Sequence, residues 1–163
     1  MAAESVDSAL GVLGERPGDR PSRTATHRLI GAADRPELDR LFADLSGAPG
    51  LVPPVAARLV ARHGLEATDV ADLAATSGLR ATLPGSEHLE AEVAWAATHE
   101  LALSLDDVLA RRMRLVQELP DRGASIAPRV AAIMAGELGW DAARMGHEVE
   151  TFLAGARREF AVP

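Results

Sequence analysis

Apolar residues recur every three or four positions through the second half of the chain, which is the spacing of one face of an α-helix. This pattern predicts four helices, over residues 87–103, 104–119, 125–138 and 141–160. Their apolar faces contain Leu89, Val93, Ala96 and Leu103 in the first, Leu105, Val108, Leu115 and Leu119 in the second, Ile126, Val130, Ile133 and Met134 in the third, and Ala142, Met145, Val149, Phe152, Leu153, Ala156 and Phe160 in the fourth. Each face needs a partner to bury it, so this half is predicted to be a helical bundle.

Residues typical of helix ends stand at the predicted boundaries. Ser104 and Asp107 have the spacing of a capping box, and Leu103 and Val108 are placed to pack together as a hydrophobic staple. Gly139 is expected to end the third helix, and Asp141 is expected to cap the fourth.

The first half of the chain contains shorter periodic segments separated by glycine and proline. Helices are predicted over residues 2–13, 36–45, 53–63 and 67–76, with a loop over residues 77–86. The first of them is too short to be stable alone in water and needs a surface to pack on. Residues 14–21 are polar and rich in glycine and proline, which predicts a linker or an exposed loop. Since no alternating β pattern occurs, the predicted fold is an all-α multi-helix bundle with a short N-terminal helix.

Composition removes several kinds of chemistry. The chain contains no cysteine and no lysine, which excludes thiolate metal sites, cysteine nucleophiles, Schiff bases and the P-loop lysine. Its net charge of −7 disfavours a nucleic-acid partner. No stretch has the character of a signal peptide or approaches the roughly 20 apolar residues of a membrane span, so a cytoplasmic location without a transmembrane segment is expected.

Two charged residues interrupt the apolar faces of the second half. Glu100 falls on the face of the predicted 87–103 helix, and Arg112 on that of the next helix. Burying either charge alone would cost several kcal/mol. The expected arrangement is therefore a structural ion-pair cluster of these two residues with Glu92, His99 and Arg111. No nucleophile or cofactor-binding motif accompanies them, so we predict no catalytic, cofactor-binding or metal-ligating residue in this chain.

Three alternative sites fit the sequence less well. His88 and Glu92 lie one helical turn apart and could share a metal, but no third ligand converges on them. Residues 68–79 are similar to the start of a helix-turn-helix, but Pro84 and Gly85 leave too little room for a recognition helix. Gly11, Gly14 and Gly18 do not have dinucleotide-binding spacing. The remaining histidines, His27, His63 and His147, are expected to be solvated or to cap helices.

Residues 90–115 carry a more specific signal. The run from Glu90 to Ala102 contains His99-Glu100, and the next segment contains Asp106-Asp107 and Arg111-Arg112-Met113-Arg114. This pattern resembles the C-terminal helical domain of bacterial FAD-dependent glycerol-3-phosphate dehydrogenases, where threonine usually occupies the place of Met113. The resemblance covers roughly residues 1–160. Within it, residues 1–10 are similar to the last helix of the family's flavin domain.

The resemblance implies a division into residues 1–13, the terminal helix of an absent FAD domain, residues 14–26, a linker, and residues 27–163, the C-terminal helical domain. It implies a packing role in an enzyme that oxidises glycerol 3-phosphate to dihydroxyacetone phosphate and passes electrons through FAD to a quinone. The expected partner is the FAD-binding domain, in cis or in trans, in the cytoplasm or at the inner membrane; homo-oligomerisation stays open. This chain would hold no cofactor and be inactive alone. The alternatives are a free-standing helical interaction module and, less favoured, a helix-turn-helix DNA binder.

Overall fold

The computed structural model of the chain describes residues 2–15 and 22–159. Within these residues the α-helices are α1 (Ala2–Val12), α2 (Arg35–Ser46), α3 (Pro53–His63), α4 (Ala67–Ser77), α5 (Glu90–His99), α6 (Leu115–Glu118), α7 (Ala127–Leu138) and α8 (Ala142–Glu159). A 3₁₀ turn at Gly64–Glu66 and a π-helical segment at Asp107–Arg112 complete the elements. The only β-type pairing in the described ranges is an isolated bridge between Thr82 and Leu89. The prediction of an all-α fold is confirmed.

The chain divides into two compact units, residues 1–32 and residues 33–163. The first unit contains α1, so the short helix predicted over residues 2–13 is confirmed. Several of its apolar side chains are exposed, namely those of Val6, Val12 and Leu13. The second unit contains all the other helices. No helix in the described parts of the chain combines the length and the apolarity that crossing a lipid bilayer requires.

Helices α2, α3 and α4 form the first half of the second unit. Asp34 caps α2 through a capping box with Glu37, and Pro53 opens α3. Gly64 ends α3 with a φ of +58°, a left-handed value that glycine adopts without strain. The apolar faces of the three helices pack with one side of α5, and the largest buried side chains of this cluster are Leu45, Leu59, Val70, Leu89 and Trp95.

The other side of α5 packs against α7, which in turn contacts α8. Alanines at 91, 94, 96 and 97 of α5 are buried, and their small side chains allow close approach of the neighbouring helices. The core on this side is built around Leu105, Leu109, Met113, Leu115, Ile126, Met134 and Phe152. The predicted caps are confirmed, because Gly139 ends α7 at a φ of +68° and the backbone N–H of Arg144 donates to Asp141. Phe160, predicted to end the apolar face of α8, lies outside the described residues.

Two predicted helices differ from the observed ones. The helix predicted over 87–103 is confined to Glu90–His99, and the single helix predicted over 104–119 is divided into the π-helical segment and α6. The reason lies in the backbone, because Leu101 and Arg114 adopt left-handed φ values of +57° and +59°. A right-handed helix cannot continue through such a residue. The apolar positions Leu105, Val108 and Leu115 are nevertheless fully buried, as their spacing predicted.

The expected cap at Ser104 is present, but the staple beside it is not. The backbone N–H of Asp107 donates to the Ser104 hydroxyl, and the Asp107 carboxylate accepts from the N–H of Leu103. Leu103 itself is exposed, whereas Val108 is fully buried. The predicted contact between Leu103 and Val108 was therefore wrong, because the chain leaves the helix before Leu103 and turns this side chain outward.

The loop predicted over residues 77–86 is confirmed. After Gly78 the chain runs irregularly, and backbone hydrogen bonds from Leu83 to His88 and from Glu90 to Ala81 close it onto the start of α5. Leu83 is fully buried. Leu83 is thus anchored in the core and Leu79 is partly buried, and residues 79–83 form no recognition helix after α4.

Candidate functional site

The second unit contains an open cleft of about 570 Å³ that is rich in arginine. We call it the arginine cleft and define it by its lining residues, Arg58, Ala61, Arg62, His88, Glu100, Arg111, Arg112, Met113, Arg114 and Glu118. Five of these ten residues are arginine, in a chain whose net charge is −7. The cleft is therefore a local concentration of positive charge on an acidic chain.

Separate elements bring the lining residues together, and most of the arginines come from two of them. Helix α3 supplies Arg58 and Arg62, one turn apart, while Leu59 and Val60 of the same helix are buried. The π-helical segment supplies Arg111 and Arg112, and its C-cap Met113 lies in the core. Because these elements are far apart in sequence, the cleft exists only after α3 and the segment after α5 have packed.

A fully buried carboxylate lies next to the cleft. Glu92 accepts hydrogen bonds from the backbone N–H of Leu89 at 2.9 Å and from Nδ1 of His88 at 2.9 Å, and it contacts Nε2 of His63 at 3.3 Å. The guanidinium of Arg62 lies 3.4 Å away. Burial raises the pKa of Glu92, but the hydrogen bonds from His63 and His88 outweigh this effect and lower the pKa to about 2. Glu92 is thus ionised at neutral pH.

His88 links Glu92 to the cleft surface. Its Nε2 lies 3.0 Å from Nε of Arg58, and since a guanidinium only donates, this imidazole nitrogen accepts. The ring proton then resides on Nδ1, which faces Glu92. Arg58 also contacts the carboxylate of Glu118 at 2.6 Å. A continuous chain of polar contacts therefore runs from Glu118 at the surface to the buried Glu92.

Glu100 and Arg62 occupy the other end of the cleft. The Glu100 carboxylate lies 3.8 Å from Arg62, 3.9 Å from His63 and 3.9 Å from Arg112, distances too long for direct hydrogen bonds. Arg112 donates instead to the Glu100 carbonyl at 2.7 Å, and Arg62 donates to the Arg112 carbonyl. Arg62 and Arg112 thereby connect α3, the end of α5 and the π-helical segment.

The structure brings only part of the expected ion-pair cluster together. Glu92, Glu100 and Arg112 are joined through Arg62 and His63, as described above. Arg111 instead pairs with Asp107 one turn earlier and is 69% exposed. His99 stacks on the ring of Trp95, with centroids 3.8 Å apart, and its Nδ1 contacts the Thr98 hydroxyl. Neither Arg111 nor His99 contacts the buried carboxylate.

Sequence reasoning did not single out Arg58 and Arg62 and misjudged His63. The expectation that His63 is solvated or caps a helix was wrong, since its side chain is buried between Glu92 and the ring of Trp95. A signal was available, because His63 follows the buried Leu59 by four residues and so shares its helix face. No comparable signal distinguishes Arg58 and Arg62, whose partners lie about 30 or more residues away.

The chemistry of this arrangement is that of a hydrogen-bonded network. A carboxylate with a pKa near 2 is a weak base near neutral pH, and its lone pairs are occupied by His88, His63 and Leu89. Residues 2–15 and 22–159 contain no group of three or more metal-ligating side chains with the geometry to hold an ion. The groups that remain available to a ligand are the exposed arginines of the cleft, Arg111, Arg112 and Arg114. Their guanidinium groups can donate hydrogen bonds to an anion.

Comparison with known proteins gives consistent matches. A protein-family model described as the C-terminal domain of alpha-glycerophosphate oxidase matches residues 22–145. The chain is 36% identical over 161 residues to glycerol-3-phosphate dehydrogenase 2 of Mycobacterium tuberculosis (strain H37Rv), covering 98% of this chain and 27% of that protein. It is 35% identical to glycerol-3-phosphate dehydrogenase of Mycobacterium leprae, with the same coverage.

A eukaryotic relative also matches nearly the whole chain over only a small part of its own length. The mitochondrial glycerol-3-phosphate dehydrogenase of Bos taurus is 33% identical over 159 residues, which cover 93% of this chain and 21% of that protein. The chain thus spans about a quarter of the length of the relatives that it matches. No solved structure matches it.

Proposed function

Because this chain belongs to the family of the C-terminal domain of alpha-glycerophosphate oxidase, we propose that it serves as the C-terminal helical domain of an FAD-dependent glycerol-3-phosphate dehydrogenase. The observation that carries the proposal is the coverage, since nearly the whole chain aligns with about a quarter of each mycobacterial relative. The activity of the intact enzyme would be oxidation of glycerol 3-phosphate to dihydroxyacetone phosphate, with electrons passing through FAD to a quinone. This chain would have no such activity alone.

We propose the following division of the chain. Residues 1–13 are the terminal helix of the flavin domain, residues 14–26 are a linker, and residues 27–163 are the helical domain. Two observations support it. The chain separates into two compact units between residues 32 and 33, which leaves residues 27–32 of the proposed helical domain in the first unit. The apolar residues Val6, Val12 and Leu13 of the first unit are exposed, as expected for a helix that normally packs on another domain.

FAD would be held by the part of the enzyme outside this chain. Dinucleotide-binding folds place the phosphates at a glycine-rich turn between a β-strand and a helix. The described residues contain no strand before a helix, and Gly11 and Gly14 belong to α1 and the turn after it; Gly18 lies outside the described residues. The described residues therefore offer no such turn for FAD, which supports our placing its site in the flavin domain.

The network beside the arginine cleft would have an architectural role. Glu92 and Glu100, with Arg62, His63 and Arg112, connect α3 to α5 and to the π-helical segment through polar contacts. Because each of these charges has an opposite charge or a hydrogen-bond donor nearby, the network fixes how the elements cross without requiring an isolated buried charge. We assign it no part in catalysis.

The cellular setting follows from the proposed enzyme. Transfer of electrons to a membrane quinone requires the intact enzyme to work at the inner membrane, with this domain on the cytoplasmic side. A homo-oligomer of the intact enzyme would be expected to be symmetric, as most soluble homo-oligomers are.

A binding experiment tests the proposal. The flavin-containing part of the M. tuberculosis relative, prepared without the stretch that matches this chain and checked for its flavin absorbance, is mixed with the purified chain. We expect the chain alone to be colourless and inactive with glycerol 3-phosphate, and to form a 1:1 complex with the flavin part. Failure to form a complex would contradict the proposal and favour a free-standing interaction module.

The genomic sequence gives an independent test. We expect an open reading frame upstream of the Met1 codon that encodes a segment like Gly-Gly-Lys-x-Thr-Thr-Tyr-Arg. In the glycerol-3-phosphate dehydrogenases that this chain resembles, such a segment stands just before the helix that is similar to residues 1–10. A stop codon with a ribosome-binding site at that place would mean that the flavin domain is supplied by another chain.

A further inference from the structure

Two exposed leucines, Leu101 and Leu103, directly follow Glu100 of the arginine cleft, and hydrogen bonds tie their segment to the one that supplies Arg111 and Arg112. We define the cleft rim as Leu101, Leu103, Arg111, Arg112 and Arg114. We infer that the cleft rim is the surface on which this domain docks against the flavin domain, and that the docking segment of the flavin domain presents acidic side chains flanked by apolar ones. The inference rests on the proposed function and adds the location and chemistry of the interface.

The first observation is that Leu101 is exposed and has a left-handed backbone. Its side chain is 81% exposed, and its backbone has a φ of +57°. Both features are unfavourable for leucine, because the exposed side chain keeps apolar surface in water and the left-handed backbone is strained by Cβ. Glycine or asparagine at this position would remove both costs. Leu101 buries little of its side chain within the chain, whereas a partner that covers it would gain apolar contact area.

Leu103 extends the same apolar patch. It is 59% exposed and is separated from Leu101 only by Ala102, which is fully buried. The burial of Ala102 fixes the segment on the core, so both leucines are held on its outer side. Two apolar side chains on a fixed backbone form a preorganised contact, since little entropy is lost when a partner covers them.

Hydrogen bonds place these leucines next to the arginines. Arg112 donates to the carbonyl of Glu100, which forms the peptide bond to Leu101. The N–H of Leu103 donates to Asp107, and the same carboxylate pairs with Arg111. The segment after α5 and the π-helical segment are therefore tied together along one edge of the cleft.

The charge of the rim indicates the chemistry of the partner. Arg114 makes no side-chain hydrogen bond or ion pair with any residue in the described part of the chain, and it too has a left-handed backbone. Arg111 is mostly exposed, and Arg112 is half exposed. Arginine is enriched at protein interfaces, where its planar group binds carboxylates with two parallel hydrogen bonds. The complementary surface is acidic.

The flavin domain is favoured as the occupant over a second copy of this chain. In a two-fold symmetric contact the same patch meets itself, which would bring the rim arginines of two copies together. By contrast, about three quarters of each mycobacterial relative lies outside the stretch that this chain matches. In the proposed enzyme, that part contains the flavin domain, with which this domain would share an interface.

Leu101→Asn tests the apolar contact. The variant is measured for affinity to the flavin-containing part of the M. tuberculosis relative and for melting temperature. We expect binding to weaken by about tenfold or more, the loss typical of truncating an important interface residue. Its melting temperature should not fall, because asparagine tolerates the left-handed backbone. Val52→Asn is the matched control, since Val52 is an exposed apolar residue outside the cleft, and it should bind like the unmodified chain.

Arg114→Asn tests the charged contact. We expect weaker binding and a smaller loss of affinity between low and high salt, because one fewer ion pair is screened. Arg35→Asn is its control, as Arg35 is a highly exposed arginine on α2, away from the cleft.

The outcomes separate the two proposals. If the unmodified chain binds and both rim variants bind equally well, the cleft rim is not the interface, while the proposed function stands. If the unmodified chain does not bind at all, both proposals are wrong. If Leu101→Asn lowers the melting temperature and leaves the affinity unchanged, Leu101 has a structural role and the inference is overturned.

Discussion

Glu92 shows how a single residue holds its charge inside the protein. Its carboxylate has no exposed surface, yet it receives hydrogen bonds from Leu89 and His88 and contacts His63 and Arg62. Together these groups replace the water that the carboxylate loses, and they favour its ionised form more than water does. The fold therefore binds a proton at Glu92 less readily than the unfolded chain does.

This difference predicts a pH dependence of stability. The pKa of Glu92 falls from 4.5 to about 2 on folding, so its contribution is fully present above about pH 4.5 and is lost as the pH falls towards 2. The shift corresponds to about 3 kcal/mol at neutral pH. Glu92→Gln should therefore unfold more easily than the unmodified chain at pH 7, and the gap should narrow between pH 5 and pH 3.

Urea unfolding at pH 7, 5, 4 and 3 measures this gap. Glu87→Gln is a suitable control, because Glu87 is exposed and its removal should change the unfolding free energy little at any pH. A difference between Glu92→Gln and the unmodified chain that stays constant over this range would show that ionisation of Glu92 does not stabilise the fold.

At the scale of the element, helix boundaries depend on backbone conformation as much as on apolar spacing. Helix α7 ends at Gly139, where φ is +68°, and the end was predicted because glycine favours this conformation. The breaks at Leu101 and Arg114 were not predicted, because these residues are ordinary helix formers in sequence terms. Packing of Ala102, Met113 and Leu115 into the core imposes the left-handed backbone at their neighbours.

Gly136 within α7 and Gly139 at its C-cap provide a matched test of this difference. Gly136 is exposed within the helix, and a Cβ added to it would meet nothing within 4 Å; Gly139 has equal space but a left-handed backbone. Gly136→Ala should stabilise the protein by up to about 1 kcal/mol, because alanine favours the helix. Gly139→Ala should destabilise it by about 1 kcal/mol, because the left-handed backbone strains alanine.

Thermal unfolding followed by circular dichroism distinguishes the two variants by the sign of the change in melting temperature. Changes of the same sign would mean that backbone conformation at residue 139 does not decide where α7 ends.

At the scale of the whole molecule, the division into two units at residues 32 and 33 has a measurable consequence. Residues 22–30 are exposed and contain no helix, so Arg23 and Arg28 are accessible to trypsin. Brief digestion should cleave there before it cleaves within residues 33–163, where most arginines lie in packed helices. Mass spectrometry should then show a fragment beginning at Thr24 or Leu29 that keeps the helical circular dichroism signal.

The order of cleavage is the informative result. Early cleavage at Arg58 or Arg129 would show that the helical unit opens as readily as the segment before it, and that the two units are not independent in stability.

Much of the fold was readable from the sequence because the signals are local. The apolar spacing of α7 and α8, the prolines at the start of α3 and the glycines at 64 and 139 act within a few residues, and they predicted these elements and their ends. The resemblance at residues 90–115 likewise depends on a contiguous pattern, and the family match over residues 22–145 confirmed it.

The sequence by itself therefore determined the all-α class, most of the helices and the family. Only the tertiary structure decided which charged side chains contact each other. Glu92 contacts His63 and Arg62, which are about 30 residues away in sequence, and Arg58 contacts Glu118, which is 60 residues away. The tertiary structure also decided that Leu101 and Leu103 face outward, because the neighbouring Ala102 is held in the core. Local periodicity fixes a side chain's position around its own helix, whereas its partners and its exposure depend on how distant helices pack.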